Sequence, residues 1–129
     1  MPAADTAYVV HWHPLEVQDR VEEVESKGWD VVGSEAADVD RAADGIVATA
    51  PTAAVVWLSH EPEQGRRLLL KVKTRGPREE IPFVFVDGSE SAVRRVKEVF
   101  PAGIYTDVYH LGDALDEARR TARSMQKAS

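Results

Sequence analysis

The sequence predicts an α/β domain built on one doubly wound, five-stranded parallel sheet with the strand order 2-1-3-4-5. Three observations indicate this fold. Apolar runs alternate five times with segments of helical periodicity along the 129 residues. The run at 53–58 (AAVVWL) is apolar without alternation, which is typical of a strand covered on both faces. Because crossovers between parallel strands are right-handed, alternating elements favour helices on both sides of the sheet.

The first half of the chain predicts two strand–helix units. Residues 7–10 form a short β-rich run, and Pro14 suits the first turn of the helix that follows it. Apolar residues then recur at helical spacing until Gly28, which predicts the end of that helix. A second strand is predicted at 30–32 and a second helix at 38–50, where Pro51 ends it.

The second half continues the alternation, and no repeat or linker divides it. Ser89 has the residue type and position of a helix N-cap. We expect one domain over residues 1–129 with a core of about 7–123. The predicted elements are a strand at 53–58, a helix through 68–72 that ends near 76–77, a strand at 81–86, a helix from 89 to 100, a strand at 103–109 and a final helix at 111–125.

Composition excludes several classes of protein. The chain has no cysteine, so disulfides, zinc–thiolate sites and a cysteine nucleophile are excluded. Its net charge of −6 argues against binding to a nucleic-acid backbone. The N-terminus has no signal-peptide pattern and the longest apolar runs are far shorter than a membrane span. We therefore expect a cytoplasmic protein with no membrane or nucleic-acid partner.

Several weak motifs occur in an order that resembles response-regulator receiver domains. The segment 8–15 (YVVHWHPL) resembles the first receiver strand, in which two acids are often followed by His-Pro-Leu. The segment 31–36 (VVGSEA) resembles the second strand and its exit, and the third strand with its loop through Pro62 and Gly65 follows the family's spacing. The resemblance covers roughly residues 7–123, and it implies a flavodoxin-like, receiver-like fold.

The resemblance also implies that this chain is a degenerate receiver. Receivers need an acid pair for Mg²⁺, an aspartate nucleophile, a hydroxyl residue and a lysine. These positions fall here on His11 and Trp12, on Trp57 (counting back from Gly65), on Asp87 and on Asp107, or on Val108 if the register shifts by one residue. Because an indole cannot accept a phosphoryl group, we expect no phosphorylation at the family site. No catalytic residue and no cofactor is assigned.

Two other uses of this sheet edge remain open. The four histidines map to strand ends, and imidazole with carboxylate suits Zn²⁺, Ni²⁺ or Fe²⁺. The candidate ligands are His11, His13, His60, Asp87, Asp107 and His110. The alternative is that they are ordinary polar residues of surface loops. Trp12 and Trp57 form either an apolar slot for a ring-shaped ligand or a hydrophobic plug of the vacated pocket.

The fourth helix, fifth strand and fifth helix form the surface through which receivers bind partners. Charges of both signs on the two helices suit a two-fold contact, whereas pairing within each helix is the alternative. These residues are Arg94, Arg95, Asp113, Asp116, Arg119 and Arg120. We therefore expect a non-phosphorylatable signalling or protein-interaction module, in which a homodimer is one form of partnership. The rival hypothesis is a small metal- or ligand-binding protein or enzyme that uses the histidine-rich edge.

Overall fold

The computed structural model describes residues 5–58, 62–75 and 81–128 and confirms the predicted architecture. Five parallel strands form one sheet in the order β2-β1-β3-β4-β5. The elements are β1 Thr6–Val10, α1 Val17–Glu25, β2 Asp30–Glu35, α2 Val39–Thr49, β3 Ala53–Trp57, α3 Pro62–Arg75, β4 Phe83–Val86, α4 Glu90–Val99, β5 Ile104–Thr106, a 3₁₀ turn Val108–His110 and α5 Leu111–Ala128.

Two hydrophobic clusters lie on opposite sides of the sheet. One cluster packs α2, α3 and α4 against the strand residues that face them, such as Val10, Val56 and Phe85. The other packs α1 and α5 against the alternate strand residues, such as Val9 and Val55. Because β3 contributes to both clusters, every residue of β3 is buried, as its unbroken apolar run predicts.

The element boundaries show local chemistry that the apolar pattern alone does not contain. The Ser89 side chain accepts a hydrogen bond from Ala92 N, so the predicted N-cap of α4 is confirmed. Pro14 is not in the first turn of α1, because a backbone turn from His13 O to Glu16 N delays the helix until Val17.

The second and fifth predicted strands differ most in length from the observed ones. The second strand runs on to Glu35, because β1 pairs with it along its full length. The fifth strand ends at Thr106, not at Tyr109. Asp107 turns the chain there, because its carboxylate accepts a hydrogen bond from His110 N and caps the 3₁₀ turn. Among the described residues, no helix is long and apolar enough to cross a membrane.

Candidate functional site at the carboxyl edge of the sheet

The sheet register brings the predicted site positions to one edge. Val10 pairs with Val56, so His11 lies beside Trp57 at the carboxyl ends of β1 and β3. Trp57 pairs with Val86 across β3 and β4. Asp87 follows β4, and its backbone N–H donates to Thr106 O at the end of β5. The four strand ends therefore meet where an open α/β sheet binds its ligand.

Trp57 and His11 lie on the α1/α5 side of this edge. Each is only 1% exposed, and their ring centroids are 6.1 Å apart. The Arg20 guanidinium carbon lies 5.9 Å from the centre of the Trp57 ring. The position to which the resemblance assigns the nucleophile therefore holds a buried indole beside a guanidinium group, and an indole has no oxygen atom that could attack phosphorus.

Trp12 lies on the other side of the sheet. It is 8% exposed and packs in the cluster that contains Leu58 and Leu68, whereas Trp57 belongs to the α1/α5 cluster. Because the sheet separates the two indoles, they do not form one slot for a ring-shaped ligand. Each fills one layer of the edge, which favours the interpretation that they plug the vacated pocket.

Asp87 has a structural role at the end of β4. Its backbone adopts a left-handed conformation (φ 59°), and Gly88 follows at φ 103°. Aspartate tolerates this region better than most residues because its short carboxylate can bond locally. Asp87 Oδ1 accepts a hydrogen bond from Val108 N at 3.3 Å, which ties the β4–α4 loop to the start of the 3₁₀ turn.

Asp107 stands where the resemblance places a lysine, and it pairs with a neighbour on the chain. Its Oδ1 lies 2.8 Å from His110 Nδ1 and 3.0 Å from His110 N. The side-chain hydrogen bond with His110 lowers the pKa of the Asp107 carboxyl. With Asp87 and Asp107 both present, two carboxylates stand at the end of the sheet where phosphoryl oxygens would need cationic partners.

The candidate metal ligands are distributed over separate contacts. His13 N donates to His11 Nδ1 at 3.2 Å, and that bond places the proton of a neutral His11 ring on Nε2. In that tautomer the Nδ1 lone pair accepts this hydrogen bond and Nε2 carries the proton. His60 lies outside the described residues. Within the described part of the chain, no group of three or more metal-ligating side chains could hold an ion, so the metal hypothesis stays a prediction.

The structure contains a groove beside β5 that the sequence patterns did not predict. Its volume is about 490 Å³, and the residues that line it are Asp87, Gly88, Val93, Tyr105, Thr106 and Asp107. A second hollow along α4 shares Gly88 and Val93 with it and adds Glu90, Arg94 and Lys97. The Asp-Gly pair after β4 could have indicated this groove, because both residues favour the left-handed backbone conformation that the loop adopts here.

Tyr105 lines this groove and is held by three contacts. Its hydroxyl donates to Phe100 O at 2.8 Å, and its ring stacks on Phe85 with centroids 5.2 Å apart. Lys97 Nζ lies 5.0 Å from the centre of the ring on the outer side. Burial raises the pKa of the Tyr105 phenol to about 12.

Two of the predicted interface arginines bond within the chain. Arg119 donates to Asp5 Oδ2 and to Asp116 Oδ1, and its guanidinium carbon lies 5.3 Å from the centre of the Trp29 ring. Arg95 pairs with Glu63 of α3. In this conformation Arg119 is thus engaged within its own chain, and its place in a two-fold interface stays a prediction. Arg94, Asp113 and Arg120 are exposed and form no ion pair among the described residues.

Comparisons with solved structures identify the same fold. A CheY-like response regulator receiver domain from Methylobacillus flagellatus superposes with a TM-score of 0.72 at 16% identity, covering 90% of this chain and 99% of that one. The signal receiver domain of a modulated diguanylate cyclase from Desulfovibrio desulfuricans gives 0.67 at 19% identity, covering 94% and 98%. The receiver domain of the Arabidopsis thaliana histidine kinase CKI1, complexed with Mg²⁺ and BeF₃⁻, gives 0.63 at 14% identity, covering 90% of each chain.

The sequence matches no protein-family model and no curated protein. The chain thus has the fold of a response-regulator receiver domain, with a sequence far from those of its structural neighbours.

Proposed function

We propose that this chain is a receiver-like signalling module that cannot be phosphorylated and acts by binding another protein. The observation that carries the proposal is Trp57, which is 1% exposed at the end of β3 where a receiver needs its nucleophile. A phosphodonor would have to displace packed core to reach this position, and would find no oxygen nucleophile there.

The neighbouring positions support the same conclusion. The CKI1 receiver domain has been solved with Mg²⁺ and BeF₃⁻, and Mg²⁺ requires oxygen ligands. The acid-pair positions here are the imidazole of His11 and the indole of Trp12, both buried. Asp107 stands at the lysine position and is paired with His110. These positions therefore hold no residue that could bind Mg²⁺, attack the phosphoryl group or neutralise its charge as a receiver does.

The surface of α4, β5 and α5 is the proposed binding face. It contains the groove lined by Tyr105, Asp87 and Asp107, and the adjoining hollow along α4 that is lined by the exposed Arg94 and Lys97. Side chains of both charge signs on one face favour a specific, oriented partner. A two-fold homodimer through this face remains a narrower form of the proposal, and Arg94 and Arg120 are the arginines left for it.

Phosphorylation is tested with acetyl phosphate and Mg²⁺, with intact-mass spectrometry as the readout. We expect the mass to stay unchanged under conditions that modify a phosphorylatable receiver in parallel. A labile phosphoryl adduct on a residue of this edge would overturn the proposal.

The binding face is tested by affinity capture with matched variants. Arg94→Glu should lose a partner that the wild type retains, because Arg94 lines the face. Arg41→Glu makes the same charge change on α2 and should retain the partner. Equal capture by both variants would place the binding site elsewhere.

Elemental analysis separates this proposal from the metal-binding alternative. Stoichiometric zinc, nickel or iron in the purified protein, lost on His13→Ala, would favour the histidine-rich edge as the functional site. His13 suits this test because its side chain is partly exposed beside Glu16, whereas His11 is buried.

A further inference from the structure

The outer face of α3 is basic in a chain whose net charge is −6. The helix Pro62–Arg75 carries Glu63 as its one acid against Arg66, Arg67, Lys71, Lys73 and Arg75. Three of these cations are engaged by neighbours: Lys71 and Arg75 bond to Asp40, and Lys73 lies over the Phe100 ring. An excess of positive charge is thus concentrated on one helix.

Arg66 and Arg67 are the cations of α3 that remain, since neither forms an ion pair among the described residues. Leu70 follows one turn later on the same face and is 48% exposed. We call Arg66, Arg67 and Leu70 the basic face. An exposed leucine beside two guanidinium groups that have no ion pair within the described ranges is a surface that an acidic, partly apolar helix would complement.

Helix α1 presents such a surface. Arg20 pairs with Glu16 and Glu23, and the remaining acids form no ion pair within the described part of the chain. Leu15, which precedes the helix, is 85% exposed. We call Leu15, Asp19, Glu22 and Glu25 the acidic face; its three carboxylates are exposed and span about 9 Å at 1.5 Å per residue.

The two faces cannot meet within one chain. Val24 of α1 packs in the cluster on one side of the sheet, and Leu68 and Leu69 of α3 pack in the cluster on the other. Their outer faces therefore point away from each other, and only a second copy can bring them together.

We propose that copies of this chain associate head to tail, with the basic face of one against the acidic face of the next. In an antiparallel arrangement, Leu15 of one copy lies beside Leu70 of the next. Asp19 lies four residues after Leu15, and Arg66 lies four residues before Leu70. That register places unlike charges opposite each other. Because the two faces differ, the contact is heterologous, and copies add head to tail into a ring or an open chain instead of a two-fold dimer. This contact uses neither α4 nor α5, so it is independent of the proposed binding face.

Sedimentation of the wild type over a range of concentrations is the first test. In 0.1 M salt the net repulsion is screened beyond about 10 Å while touching charges still attract, and in 1 M salt screening to about 3 Å weakens those contacts too. We expect the average mass to rise with concentration in 0.1 M salt without stopping at a dimer, and to fall in 1 M salt. A monomer at every concentration would overturn the proposal.

Complementary variants test the pairing of the faces. Arg67→Glu and Asp19→Lys should each associate about tenfold more weakly, because a reversed charge turns an attraction into a repulsion. Arg67→Glu keeps an intact acidic face and Asp19→Lys keeps an intact basic face. Mixing the two should therefore restore association, because the acidic face of Arg67→Glu can bind the basic face of Asp19→Lys. A mixture that associates as weakly as either variant alone contradicts the proposed pairing.

Matched controls separate this contact from one through α5. Arg123→Glu makes the same charge change as Arg67→Glu, and Asp113→Lys removes an acid from the first turn of α5 as Asp19→Lys does from α1. Both controls should associate like the wild type. If they abolish association while Arg67→Glu does not, the copies meet through α5 and the head-to-tail contact is wrong. Circular dichroism confirms that each variant is folded.

Discussion

Replacement of Trp57 by aspartate should destabilise the domain strongly. Trp57 is 1% exposed and packs among apolar residues of the α1/α5 cluster. A buried aromatic side chain removes roughly 150–250 Å² from water, which at about 25 cal/mol per Å² amounts to about 4–6 kcal/mol as an upper bound. Aspartate recovers little of this burial and leaves a cavity, and large aromatic truncations cost about 3–5 kcal/mol.

The new carboxylate adds a cost that depends on pH. Arg20, with its guanidinium carbon 5.9 Å from the Trp57 ring centre, is already paired with Glu16 and Glu23. Burial without a dedicated partner raises the folded-state pKa of the introduced carboxyl above its unfolded value. The penalty is therefore fully present at neutral pH and is relieved as the pH falls through the folded pKa.

Urea denaturation measures both effects. We expect Trp57→Asp to lose about 3–5 kcal/mol of unfolding free energy near pH 7 and to recover part of it at lower pH. Trp57→Asn is the matched control, because it makes a similar cavity without a charge and should lack the additional pH dependence. A wild-type midpoint in Trp57→Asp would show that the indole does not plug the edge and would refute the reasoning.

Two further predictions concern the scaffold. A Cβ at Gly45 would lie 2.3 Å from Tyr8 Oη, whereas at Gly112 the nearest atom is 3.7 Å away. Overpacking costs about 1–3 kcal/mol, which is enough to offset a gain of up to about 1 kcal/mol in helix propensity. Gly45→Ala should therefore lower the urea midpoint, whereas Gly112→Ala should not. Equal midpoints for the two variants would contradict this expectation. Hydrogen bonds from Lys71 and Arg75 lower the pKa of Asp40 below its usual 3.8, so the pairing stabilises the fold above the unfolded pKa and is lost as the pH falls through the folded pKa. Asp40→Asn should therefore flatten the acid limb of the stability curve, and an unchanged acid limb would mean that Asp40 does not link α2 to α3.

The architecture could be predicted from sequence because it depends on features that the sequence displays directly. The unbroken run 53–58 and the helical spacing of apolar residues each report burial, and burial decides the layers. The handedness of the crossovers then restricts the strand order to a few possibilities, of which 2-1-3-4-5 is the simplest. The last strand was predicted too long because Tyr109 looks like a strand residue, yet it is 91% exposed in the 3₁₀ turn that Asp107 caps.

The candidate site was predicted less completely, since it depends on which side of the sheet each side chain takes. Sequence order places Trp12 and Trp57 at neighbouring strand ends but does not show that the sheet separates them. The sequence did not reveal the intramolecular partner of Arg119, because Asp5 lies 114 positions away along the chain. The groove above Tyr105 arises from a loop conformation that no periodic pattern encodes.

Tyr105 offers a test of whether the proposed binding face is held in a single state. A receiver fold that cannot be phosphorylated lacks the modification that would shift it between two states. The contacts of Tyr105 with Phe100 O, Phe85 and Lys97 all favour the inward position of the ring. If that position is constant, the phenol should keep its raised pKa of about 12 throughout the population.

The titration of Tyr105 is accessible by ultraviolet absorbance. Subtracting the titration of Tyr105→Phe from that of the wild type isolates one phenol, and Tyr109→Phe is the control because Tyr109 is 91% exposed. We expect the Tyr105 difference curve to be centred near 12, against 10.0 for an unperturbed tyrosine. Because the folded pKa exceeds the unfolded value, the wild type should also lose stability as the pH rises from 10 towards 12, and Tyr105→Phe should lose less. A difference curve centred near 10, recorded while circular dichroism still shows native protein, would mean that the ring leaves its site and that the face has a second state for a partner to select.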